Sequence, residues 1–93
     1  MIKSFADRDT QALYEGRRVR RFEGFWKQAE KRLQILHRSR SLEDLRGLPG
    51  NRLEALSGDR VGQFSIRISR QWRICFRWQD GDAYDVTIVD YHG

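Results

Sequence analysis

Near the end of the chain stand Asp90, Tyr91 and His92, an acid, a phenol and an imidazole in consecutive positions. Histidine titrates near neutrality and can take or give a proton. Tyrosine can stack on an RNA base or donate a proton, and a neighbouring carboxylate can orient an imidazole. Just upstream, residues 61–90 alternate apolar and polar side chains in three runs. In an extended strand that alternation sends successive side chains to opposite faces. It gathers Arg67, Arg73 and Arg77, with Gln63, Ser65 and Thr87, on one face, and Tyr91 continues the phase of Asp85, Thr87 and Val89 onto it. Such a set suits gripping and cutting a phosphodiester. RNA carries its own nucleophile, the 2′-hydroxyl, so its cleavage needs a base, an acid and cations around the phosphorane. That chemistry requires no metal, and the sequence has no metal-ligand spacing.

Register follows from facing apolar residues with apolar residues. A hairpin centred on Arg70 pairs Ile68 with Trp72, Ile66 with Ile74 and Phe64 with Phe76, which sets Arg67 opposite Arg73. A second hairpin, centred on Gly81 in Asp80-Gly81-Asp82, pairs Trp78 with Tyr84, Phe76 with Val86 and Ile74 with Ile88. It sets Arg77 opposite Asp85. Like charges facing each other across strands are destabilising unless offset. A structural offset for Arg67 and Arg73 would be a carboxylate, with Asp85 the nearest candidate. A functional offset would be a bound phosphate. One arginine alone is ordinarily a solvated side chain, and so is a lone terminal histidine. His37, at a helix end among basic residues, reads as surface or as a helix-end cap.

These strands need a scaffold. Ile2 to Phe5 reads as a short opening strand. Asp7 or Asp9 can cap a helix running to about Glu15, with Gly16 ending it. Residues 20–38 carry the clearest helical pattern: Phe22, Phe25, Trp26, Ala29, Leu33 and Leu36 form one apolar stripe, read as core. The other helix face carries Arg21, Lys27, Lys31, Arg32 and Arg38. Ser41-Leu42-Glu43-Asp44 has capping-box spacing and opens a short helical turn ended by Gly47 and Pro49. Arg52 to Leu56 forms a first short strand. The helix stripe covers the apolar face of the sheet, and the arginine face stays open because no second set of helices remains to bury it.

Ninety-three residues make one domain, 1–93, burying roughly 60–65% of its unfolded surface. An apolar fraction of 39% with three tryptophans suffices for a core. The apolar stretches are too short for a membrane helix, and the N-terminus lacks the apolar block of a signal peptide. The single cysteine, Cys75, leaves no internal disulfide and no cysteine-built metal site. These features point to a cytoplasmic protein without a membrane partner. The net charge is +5, and fifteen of the eighteen basic residues are arginine. With a pI near 10.0, that bias turns the reading toward nucleic acid, since arginine binds phosphate bidentately and stacks on bases.

Leu56-Ser57-Gly58-Asp59-Arg60, Ser65-Ile66-Arg67-Ile68, Gln71-Trp72-Arg73-Ile74-Cys75-Phe76 and Val89-Asp90-Tyr91-His92 resemble the HigB branch of the RelE/ParE toxin superfamily. The resemblance covers nearly the whole chain and is most specific from Leu56 onward. It implies a RelE-like α+β fold: a short N-terminal strand and two helices packed on one face of a small antiparallel sheet. It implies a toxin of a type II toxin–antitoxin system, an endoribonuclease that cuts mRNA in the ribosomal A site, against 16S rRNA, without metal or other cofactor. The implied partner is a HigA-like helix-turn-helix antitoxin that also represses the operon. Carried over by position, Arg73 matches a phosphate-contacting arginine, and Asp90, Tyr91 and His92 match the C-terminal catalytic group. Some relatives bear a histidine where this chain has Glu54 and a lysine where it has Ser57. Glu54 reads here as a solvated strand residue, and Arg52 or Arg60 can supply the missing positive charge. Arg67, Arg77, Lys27 and Lys31 complete the expected RNA-binding set.

Two other functions stay open. A toxin of the ParE side of the same fold would poison DNA gyrase, and has no need of Asp90-Tyr91-His92 beside Arg73. A plain RNA- or ribosome-binding module would tolerate loss of His92 while depending on Arg73.

Overall fold

The computed structural model describes residues 1–91. Asp7 opens helix α1 (Arg8–Tyr14) by accepting from the Thr10 N–H at 3.0 Å. Gly16 follows its end with φ of +87°, a left-handed conformation that costs glycine nothing. Ser41 and Asp44 form the expected capping box on α3 (Leu42–Arg46).

The pattern from Arg20 to Arg38 is not one helix. Arg20–Phe25 winds as a 3₁₀ helix, and α2 runs Trp26–Arg38. The winding changes just after Gly24, a poor helix former, and rotates Trp26 out of the apolar stripe. Trp26 is 43% exposed, a correction to its reading as core, whereas Phe22, Ala29, Leu33 and Leu36 are fully buried. Phe25 remains in the layer, stacked 4.6 Å from the Trp72 ring.

Among the described residues four strands form one antiparallel sheet in the order β1 (Glu54–Ala55), β2 (Gln63–Arg67), β3 (Trp72–Gln79), β4 (Asp82–Asp90). β2 and β3 pair as the sequence predicts: Phe64 with Phe76, Ile66 with Ile74, Arg67 with Arg73. The β3–β4 hairpin departs from prediction near its turn. Asp80 and Gly81 both take positive φ, 51° and 83°, in a two-residue turn joining Gln79 to Asp82. This is the I′-type geometry that Asp-Gly favours because it matches strand twist. Trp78 therefore faces Ala83, and Arg77 faces Tyr84 rather than Asp85. A bulge restores the predicted register, with Asp85 and Val86 together facing Phe76, and Ile74 again opposite Ile88. Asp85 carries the bulge at φ 52°.

The opening segment runs parallel along the outer edge of β4. It makes two bridges, Ile2 to Ala83 and Phe5 to Val86, not a continuous strand. His37 neither caps the helix nor lies on open surface: its Nδ1 accepts the Ile2 N–H at 3.2 Å, and its ring tilts against Tyr14. The core fills the space between α2 and the sheet with Phe22, Leu33, Leu36, Ile66, Ile74 and Phe76.

Candidate functional site

Arg73, the second residue of β3, sits opposite Val89 on one side and Arg67 on the other. The sequence places its guanidinium out in an open face, and here the structure corrects the expectation: Arg73 is 7% exposed. Its side chain lies down across β2. Nε donates to the Ser65 hydroxyl at 2.8 Å, and Nη2 donates to the Arg52 carbonyl at 2.5 Å and the Ser65 carbonyl at 3.3 Å. Nη1 stands 4.0 Å from the Glu54 carboxylate. A buried guanidinium is tolerable only when its donors are paired, and Ser65 on β2, the turn before β1 and Glu54 on β1 supply the acceptors. Arg52 takes a left-handed conformation, φ 44°, at that turn.

This arrangement eases the Arg67–Arg73 repulsion. The carboxylate involved is Glu54, not Asp85, whose backbone N–H donates to the Ser4 hydroxyl at the far edge of the sheet. Arg67 turns its Nε to the Ser69 carbonyl at 3.1 Å. Ser65 and Cys75, side by side on the same face, are fully buried as well. Burial pushes the Cys75 thiol up, partly countered by the charges of Arg60 and Arg73.

Tyr91 follows β4 and is tied to the β2–β3 hairpin by its N–H on the Gln71 carbonyl at 2.5 Å. Its ring lies 5.8 Å from the Arg73 guanidinium and is 37% exposed. Asp90, exposed, ends β4 opposite Trp72. His92 lies outside the described residues. Arg52, Glu54, Arg67, Ser69, Arg70, Arg73 and Tyr91 surround a shallow cleft of about 340 Å³. Four arginines and one carboxylate thus meet a phenol. Among the described residues no group of three His, Cys, Asp or Glu is placed to hold a metal ion.

Of the expected RNA-binding residues, Arg52 and Arg67 line this cleft. Arg60 is not among the residues that line it, although its charge acts on Cys75. Arg77 lies further along the same face, opposite Gln63 and Tyr84. Lys27 and Lys31 are exposed on α2, in the helix layer behind the sheet, and the structure does not bring them to the cleft. Arg21 and Arg32 leave the expected basic helix face for partners: Arg21 bonds Asp9, and Arg32 bonds Asn51. Ser65 and Arg70 were missed as site residues. The three-residue spacing of Arg67, Arg70 and Arg73 about a hairpin centre was the signal for Arg70, since it returns all three to one end of the sheet. A second hollow of about 390 Å³ lies on the helix side, between Leu13, Val19 and Trp26. Its charged rim is largely self-paired, Arg17 with Glu15 and Arg18 with Glu23, so the smaller arginine cleft is the candidate site.

Comparison with known proteins bears on the family and the fold. A family model described as a RelE-like toxin of the type II toxin–antitoxin system HigB matches residues 3–92. The chain is 44% identical over 62 residues to Toxin HigB-1 of Vibrio cholerae, covering 67% of this chain and 64% of that protein. It is 46% identical over 41 residues to Endoribonuclease HigB of Proteus vulgaris, covering 44% of this chain and 45% of that one. The matched stretches thus span less than two thirds of either relative. In fold it is similar to a chain of a YoeB–YefM complex from Staphylococcus aureus, with a TM-score of 0.60 at 15% identity over 100% of this chain and 99% of that one. A YoeB/ParE toxin from Agrobacterium tumefaciens aligns over 99% of this chain and 100% of its own, with a TM-score of 0.51 at 17% identity.

Proposed function

This chain belongs to the RelE-like toxins of the HigB type II toxin–antitoxin family, and from that premise we propose that it is a ribosome-dependent, metal-independent endonuclease that cuts mRNA in the ribosomal A site. The observation that carries the reading is the arginine-lined cleft with Tyr91 at its rim. The RNA 2′-hydroxyl attacks the adjacent phosphorus and loses its proton to a base. The bond to the 5′-oxygen breaks, and that oxygen takes a proton from an acid, leaving a cyclic phosphate and a 5′-hydroxyl. His92, next to Tyr91 in the chain, and Tyr91 itself are the proton-transfer groups of the proposal, with Asp90 orienting the imidazole. Arg52, Arg67 and Arg70, the unburied arginines that line the cleft, stabilise the charge that develops on the phosphorane.

So few titratable groups in so shallow a cleft favour a substrate already bent into shape. A ribosome holding mRNA splayed in the A site supplies that positioning, which can be worth several kcal/mol. The partner of the proposal is a HigA-like helix-turn-helix antitoxin that silences the toxin. Among the described residues no helix is long and apolar enough to cross a membrane, and the proposed place of action is the cytoplasm. The test is single-turnover cleavage of one mRNA, free and ribosome-bound. The ribosome-bound message should be cut far faster, and equal rates would sink ribosome dependence. Growth arrest with DNA breaks and intact translation would move the assignment to gyrase.

A further inference from the structure

We infer that Arg73 is a positioning residue of this cleft, acting through the Arg52 backbone and the Tyr91 ring, and that the phosphate grip belongs to Arg52, Arg67 and Arg70. The inference rests on the endonuclease reading above and assigns the parts within it. A phosphate-gripping arginine presents its donor fork to solvent. The Arg73 fork is turned inward: Nε is on the Ser65 hydroxyl, Nη2 on the carbonyls of Arg52 and Ser65, and Nη1 toward Glu54. A phosphate reaching Nε or Nη2 would have to break hydrogen bonds that satisfy a buried charge.

What those bonds hold is informative. Arg52 is an arginine in a left-handed conformation, which L side chains resist. Its N–H is fixed by the Pro49 carbonyl at 3.2 Å and its own carbonyl by Arg73. Arg73 thus clamps the turn that forms one wall of the cleft. On its other side its guanidinium stands against the Tyr91 ring, within cation–π range. One buried cation therefore sets the distance between the Arg52 wall and Tyr91. Of the four arginines that line the cleft, Arg52 and Arg70 are exposed and Arg67 is half-buried, whereas Arg73 is buried. Ser65 is the handle on this device, since it is fully buried and its hydroxyl holds Nε without carrying charge.

The two roles differ in salt dependence. A lost phosphate contact lowers the slope of log affinity against log salt by about 0.7–0.9; a lost positioning contact lowers the rate and leaves the slope alone. Ribosomes programmed with one mRNA serve as the probe, with affinity measured across a salt series and single-turnover cleavage measured at saturation. Ser65→Ala, which changes no charge, should cut at least about tenfold more slowly at saturation with an unchanged slope, and Ser65→Thr, which keeps the hydroxyl, should recover the rate. Arg73→Gln should behave as Ser65→Ala does. Arg70→Ala should lower the affinity and reduce the slope by about one phosphate contact, about 0.7–0.9. Ser65→Ala cutting at the wild-type rate overturns the inference, and so does a slope reduced by one contact in Arg73→Gln. If Arg73→Gln does not fold by circular dichroism, the Ser65 pair decides. A wild-type chain that cuts nothing removes the endonuclease reading and this inference with it, whereas wild-type cleavage with either contrary variant removes only the role of Arg73.

Discussion

Tyr91 is held at two points, by its N–H on Gln71 and by its ring beside Arg73, so substitution of the hydroxyl alone should leave the ring in place. Tyr91→Phe therefore separates two jobs: a rate within a few-fold of wild type assigns the phenol to base stacking, and a loss of about 10²-fold or more assigns it to proton transfer. His92→Gln keeps a hydrogen bond and removes titration. It should cost roughly 10²–10⁴ in single-turnover cleavage of ribosome-bound mRNA, and a near wild-type rate would place the catalytic groups elsewhere, with Glu54 and Arg60 next to test. Strand phase alone made Arg73 and Tyr91 legible as neighbours on one face. The sequence could not show that Arg73 lies down, because its acceptors at Arg52 lie 21 positions away across an unusual turn. Nor did it rank Glu54 above Asp85 as the nearby carboxylate, because that depends on β1 pairing with β2 and on the bulge at Asp85.

At the scale of elements, α1 is tied to the sheet through one carboxylate. Asp7 caps the helix through Thr10 and also accepts from the Thr87 hydroxyl at 2.7 Å, while the Thr10 hydroxyl accepts the Ile88 N–H at 3.0 Å. Burial opposes ionisation of Asp7, but the bonds from Thr10 and Thr87 and the Arg21 charge outweigh it and hold the carboxyl below the usual range. Asp7→Ala should destabilise the fold by about 1–2 kcal/mol in urea unfolding at neutral pH. A carboxyl with a lowered folded pKa stabilises fully above its ordinary value of 3.8, and that stability is lost as pH falls through the lower folded value. The gap between wild type and variant should therefore narrow only in acid, below about pH 4. Asp85→Gly relieves a left-handed aspartate at the bulge and should raise stability by up to about 1 kcal/mol. If it destabilises instead, the aspartate side chain holds the bulge. Both caps and the Arg70 hairpin were legible because their signals are local. The bulge was not, since a two-residue turn and a three-residue turn fit the same alternation until the Ile74–Ile88 pairing is fixed. The break after Gly24 was hidden because a 3₁₀ segment still carries apolar residues at three-residue spacing.

At the scale of the whole molecule, positive charge is divided between two sides of one sheet. The cleft arginines stand on the face away from the helices, while Lys27 and Lys31 stand in the helix layer, with Lys27 over the exposed Trp26 ring at 5.6 Å. A body with net charge +5 and radius of gyration 12.0 Å can touch message with one side while the other meets ribosomal RNA. The division predicts two distinct failures. Lys27→Glu with Lys31→Glu should weaken binding to programmed ribosomes and flatten its salt dependence, because each lysine that neutralises a phosphate contributes to the counterions released on binding. Cleavage at saturating protein should stay within a few-fold of wild type, since neither lysine approaches the cleft. Ser65→Ala and Arg73→Gln should reverse that pattern, lowering the saturated rate and leaving the salt dependence unchanged. Binding and single-turnover cleavage measured on the same ribosomes at several salt concentrations separate the two. If the double lysine variant binds as wild type at every salt concentration, the helix side faces solvent in the complex, and the arginine face alone makes the electrostatic contact.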